Sequence, residues 1–68
     1  MSEFVKKQQS LNKLCDWLRA IDNEATAELN RSADDAGMIL DARNRARRGL
    51  RQIEFWMDRN GYERTHDD

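Results

Sequence analysis

The 68-residue chain balances 12 Lys and Arg against 13 Asp and Glu, for a formal net charge of −1. No global field therefore draws it to nucleic acid or a membrane surface, and any electrostatic function has to be local. A single domain of this size buries only about 60% of its unfolded surface, and such scaffolds are usually reinforced by disulfides, a metal or a partner chain.

Cys15 is the only cysteine and His66 the only histidine. That leaves no internal disulfide and no soft ligand set for structural zinc, so self-association is the reinforcement to expect, with no cofactor. The opening Met1-Ser2-Glu3-Phe4-Val5-Lys6-Lys7 lacks the apolar core of a signal peptide, and no stretch approaches the roughly 20 apolar residues of a membrane span. With a lone thiol, this leads us to expect a cytoplasmic protein without a membrane partner.

Charged residues make up 37% and hydrophobic ones 38% of a chain without proline. Nothing interrupts a helix over 3–30. Phe4, Leu11, Leu14, Leu18, Ile21 and Ala25 recur at spacings of three, four and seven, which is one helical face. As heptads, Phe4, Leu11, Leu18 and Ala25 share one seam position, and Leu14 and Ile21 share the other.

A turn is expected at 31–33, followed by a second helix over 34–60. Ser32 reads as an N-cap, with Asp34 and Asp35 in the first turn where the helix dipole favours acids. The second apolar pattern runs Ile39, Ala42, Ala46, Gly49, Ile53 and Trp56, with Trp56 expected in the core. Gly61 is a natural stop because glycine enters the left-handed region cheaply, so the hairpin spans 1–61 and 62–68 reads as a polar tail. Gly49 on a seam costs about 1 kcal/mol against alanine, which predicts close approach of a facing helix or room for a large side chain such as Trp17.

The expected fold is thus all-α: an antiparallel two-helix hairpin. Its stripes are wider than one helix pair needs, since Cys15, Trp17 and Leu29 flank the first seam and Met38, Leu50 and Met57 the second. A broad stripe suits two neighbours, which predicts a dimeric four-helix bundle whose interface draws on Leu14, Trp17, Leu18, Ile21, Leu50, Ile53 and Met57. In length and helix arrangement this resembles the plasmid copy-control hairpins of the Rop type, a likeness of architecture that implies no function.

Residues 43–51 hold five arginines and no acid. Arg47, Arg48 and Arg51 project away from the seam, with Phe55 four residues beyond Arg51. Arginines around an aromatic suit an acidic protein surface, or stacking on bases between phosphates. The plainer reading is a solvated face, partly neutralised by Asp16 and Asp22 from the first helix and by Asp41 and Glu54 within the second, at about 0.2–0.5 kcal/mol per pair. Cys15 reads as a small buried hydrophobe, because a reactive thiolate needs a base beside it.

No phosphate-binding loop, nucleophile elbow or metal-ligand spacing is present. The expectation is a small non-enzymatic regulatory or adaptor protein of phage or bacterial type, pairing with itself and binding another protein through Arg47, Arg48, Arg51 and Phe55. The alternative is a dimeric RNA- or DNA-binding protein using the same arginines.

Overall fold

In the computed structural model, which describes residues 2–31 and 34–63, two helices pack against each other. Helix α1 spans Glu3–Arg31 and α2 spans Ala36–Arg59. They run antiparallel: Gln8 meets Glu63, Arg19 meets Glu54 and Asp22 meets Arg47, so partner numbers fall as α1 advances. Among the described residues no helix is long and apolar enough to cross a membrane.

The start of α2 differs from the expectation. The helix begins at Ala36, so Asp34 and Asp35 precede its first turn instead of lying in it. Asp35 occupies the N-cap position without a side-chain capping hydrogen bond, while its carbonyl accepts from Ile39 N–H at 3.0 Å. Both acids still lie at the positive end of the helix dipole. The expected Ser32 cap lies outside the described residues.

The far end of α2 closes tightly. Gly61 takes a φ of 79°, and Tyr62 N–H donates to the Met57 carbonyl at 2.9 Å. This is the six-to-one bond of a Schellman stop, and it turns Tyr62 back onto the core beside Met57. Tyr62 stacks on Phe4 at 4.5 Å and on Trp56 at 5.5 Å between ring centroids. Glu63 N–H donates to Gln8 Oε1 at 2.9 Å, and Gln8 Nε2 donates to the Glu63 carbonyl at 2.8 Å. Tyr62 and Glu63 therefore belong to the fold rather than to the polar tail expected at 62–68; residues 64–68 lie outside the description.

The buried core is thin: Leu11, Cys15 and Ala25 from α1, with Ala46 and Met57 from α2. Its geometry corrects the seam. In α1 the inward line is Leu11, Cys15, Leu18, Ala25 and Leu29; in α2 it is Ile39, Ala46, Leu50, Ile53 and Met57. Each helix has rotated toward one edge of its broad stripe. Leu14, on the expected seam, is half-exposed, and Trp56, expected in the core, is 43% exposed. Met57, expected to flank the seam and face a second copy, is fully buried inside the hairpin and has no surface left to offer one. A stripe more than two positions wide has two edges, and α2 occupies only one.

Candidate functional site

The rotation gives the hairpin two unlike flanks along its seam. One is sealed by polar groups. Arg19 bridges Asp16 on its own helix at 3.2 Å and Glu54 across the seam at 3.3 Å, with the Arg19 and Glu54 side chains both largely buried. Arg47 reaches Asp22 at 3.0 Å, and the Thr26 hydroxyl donates to the same carboxylate at 3.4 Å. Gln8 adds a bond to Asn12 at 2.8 Å.

The other flank is apolar and open. Leu14, Trp17 and Ile21 from α1 stand beside Ala42, Gly49 and Trp56 from α2, one heptad position from the inward line on both helices. Trp17 is 61% exposed. Around it lie two shallow depressions. One of about 470 Å³ is lined by Trp17, Ala20, Ile21, Glu24, Ala25, Glu28 and Ile39; the other, about 310 Å³, by Trp17, Leu18, Ile21, Ala42, Arg45 and Ala46. A third, about 240 Å³, lies toward the closed end against Lys7, Leu11, Gln52, Ile53 and Trp56. The Lys7 ammonium there sits 5.7 Å from the Trp56 ring centroid.

Of the residues expected at a dimer interface, Leu14, Trp17 and Ile21 lie on this open flank. Leu18 is half-buried beneath it, whereas Leu50 and Ile53 pack on the Leu11–Cys15–Met57 core. The flank also contains Trp56, which its place on the heptad seam had assigned to the core. The width of the stripe was the one signal that could have found it.

The arginine run is divided by its surroundings. Arg45 pairs with Asp41 at 2.9 Å and Arg47 with Asp22, both on partly exposed surface, where such pairs contribute up to about 1 kcal/mol. Glu54, expected to pair along the helix with Arg51, crosses the seam to Arg19 instead. Arg43 is half-buried, and its Nε has no hydrogen-bond partner among the described residues. Arg48 and Arg51 form no ion pair among the described residues. With Asn44 and Arg47 they line a polar depression of about 260 Å³. Arg51 also borders Glu54, Phe55 and Asp58 in a neighbouring one of about 370 Å³. Phe55 is 62% exposed, with the Arg59 guanidinium 5.5 Å from its ring centroid.

Cys15 is a core residue. Burial pushes its thiol up from the ordinary value, and the nearby Arg19 charge offsets this only in part, with Glu54 and Asp16 adding to the rise. A protonated, enclosed thiol is a poor nucleophile. Among the described residues no group of three or more His, Cys, Asp or Glu side chains is placed to hold a metal ion.

No protein-family model, curated protein or solved structure matches the chain.

Proposed function

We propose that the protein is a small non-enzymatic regulatory or adaptor protein, paired with a second copy through its open apolar flank and binding a target protein stoichiometrically through the surface around Arg48, Arg51 and Phe55. The exposure of Trp17 beside Ile21 and Ala42 on the open flank carries this reading. Contiguous apolar surface of this kind marks an interaction site, and an aromatic among small and aliphatic side chains is the usual anchor of one. The thin core points the same way, because a chain with so few buried residues gains most from covering a second face. The outer arginines stay available when that flank is covered, since they project from a different side of α2. Their chemistry suits an acidic protein surface.

Light scattering at micromolar concentration tests the pairing. The expected mass is twice the 8.0 kDa of one chain, and Trp17→Ala is expected to shift the protein toward monomer while helical circular dichroism persists. A folded wild-type monomer would overturn the pairing. The arginine surface is tested by titrating bound lysate protein with Arg48→Glu and Arg51→Glu, with and without nuclease. Loss of a nuclease-resistant complex in these variants, at one target chain per protomer, is the expected result. The second reading, a nucleic-acid-binding dimer, draws on Asn44, Arg47, Arg48 and Arg51 lining one depression. It gains if capture vanishes with nuclease and binding falls steeply with salt.

A further inference from the structure

The outer edge of the open flank carries charge in a pattern that specifies how a second copy would lie on it. Lys6, Lys13, Trp17, Glu24 and Glu28 follow one another at intervals of seven, four, seven and four residues, so they form one stripe along α1. Trp17 is the midpoint of the Glu3–Arg31 helix. Lysines occupy the stripe before it and glutamates the stripe after it.

The two ends of the stripe mirror about Trp17 with a change of sign, whereas Lys13 maps onto Ile21 and Glu24 onto Ser10. Lys6 lies eleven residues before the tryptophan and Glu28 eleven after; Glu3 lies fourteen before and Arg31 fourteen after. Within one chain Lys6 already approaches Glu3 at 4.0 Å and Glu28 bonds Arg31 at 2.7 Å, so each helix end holds one compact opposite-charge pair. Glu24 and Glu28 border the depression of about 470 Å³, and Lys7 borders the one toward the opposite end. Lysines thus border the flank toward one end and glutamates toward the other, where Arg45 of α2, paired with Asp41, also lines it.

We infer that the occupant of the flank is a second copy with its α1 antiparallel to the first α1, the two Trp17 side chains meeting at the twofold axis. This rests on the pairing proposed above and goes further by fixing its geometry. Reversal places Lys6 opposite Glu28 of the other copy and Glu3 opposite its Arg31, at both ends at once. Placing α1 of one copy on α2 of the other leaves that mirror unused. One whole side of the hairpin, 47 Å by 20 Å, sets an upper bound on the order of 900 Å² for such a contact, against about 800 Å² per partner in a standard stable interface. An isologous contact also requires a self-complementary patch, which a sign-reversing mirror supplies.

Spin labels decide the geometry. On a Cys15→Ala background, a label replaces Val5, exposed and off the charged stripe, in one protein and Ala20 in another, and the distance between the two copies is measured in each. The inferred dimer separates the position-5 labels by about 36 Å along the axis and the position-20 labels by only about 9 Å. Stacking α1 on α2 would keep both pairs at matching levels, under about 20 Å apart, given helix spacings of about 10 Å. A short position-5 distance in a dimer overturns the geometry and leaves the pairing standing; a monomer by light scattering overturns the pairing itself.

A charge exchange gives an independent readout at low salt. Lys6→Glu is expected to weaken the dimer roughly threefold to tenfold, and adding Glu28→Lys is expected to restore it. A double variant no tighter than the single one counts against the antiparallel contact.

Discussion

The two flanks of the hairpin have opposite relations to their own sequence. On the sealed flank each chain satisfies itself: Arg19 finds Glu54, Arg47 finds Asp22, and Gln8 holds the backbone of Glu63. On the open flank Leu14, Trp17 and Trp56 keep roughly half of their surface in water. Both flanks border the same seam at equal heptad offset, so the difference lies in residue type rather than position. Charged groups complete one edge within the chain, whereas the apolar edge stays exposed.

The largest test concerns the seam that both flanks share. Met57 is fully buried against Leu11 and Cys15, so Met57→Ala should cost about 2–5 kcal/mol of unfolding stability, enough to unfold much of so small a protein. Urea denaturation followed by circular dichroism measures it. Met38→Ala is the matched control on exposed surface, where a change within about 0.5 kcal/mol is expected. Equal losses would mean that Met38 is also covered, and that the open side extends further than Trp17 and Trp56 suggest.

A middle-sized effect separates the flanks. Glu54→Ala removes a largely buried acceptor from Arg19 and should cost about 1–2 kcal/mol at every protein concentration, leaving the dependence of stability on concentration intact. Trp17→Ala should abolish that dependence, because binding a partner only in the folded state is what makes the midpoint vary with concentration. Should Glu54→Ala instead remove it, the polar flank would be part of the interface and the contrast between the flanks would fail.

Much of this division was legible in the residue pattern, and its limits are instructive. The periodicity placed both helices and showed a stripe too broad for one partner. It could not say which edge the second helix would take, because Leu14 and Cys15 lie almost equally far around the helix from Leu11. The edge taken is the one where polar pairing across the seam and apolar burial coincide: Arg19 meets Glu54, Cys15 and Met57 lie inward, and Leu14 and Trp56 lie outward. The clasp of Phe4, Trp56 and Tyr62 was hidden for another reason. It depends on the chain reversing at Gly61, and a reversal places side chains by geometry that no helical period encodes.

The smallest effect lies at Gly49, on the open flank against Leu18. A methyl group there would meet the Leu18 side chain at 3.6 and 3.9 Å, which is ordinary contact, so the hairpin has no need of glycine at this position. Within the chain Leu18, and not Trp17, is the side chain nearest this position. Gly49→Ala should therefore raise the stability of the hairpin by about 0.5–1 kcal/mol through reduced freedom of the unfolded chain and better helix propensity. The gain is best read by urea melts in a Trp17→Ala background, where association is removed. The same substitution in the parent then reports on the proposed second copy. A gain of equal size means that the partner leaves room above Gly49. Loss of the gain at high concentration means that the glycine is kept for close approach between copies, and that the small side chains of α2 help to set the spacing of the bundle.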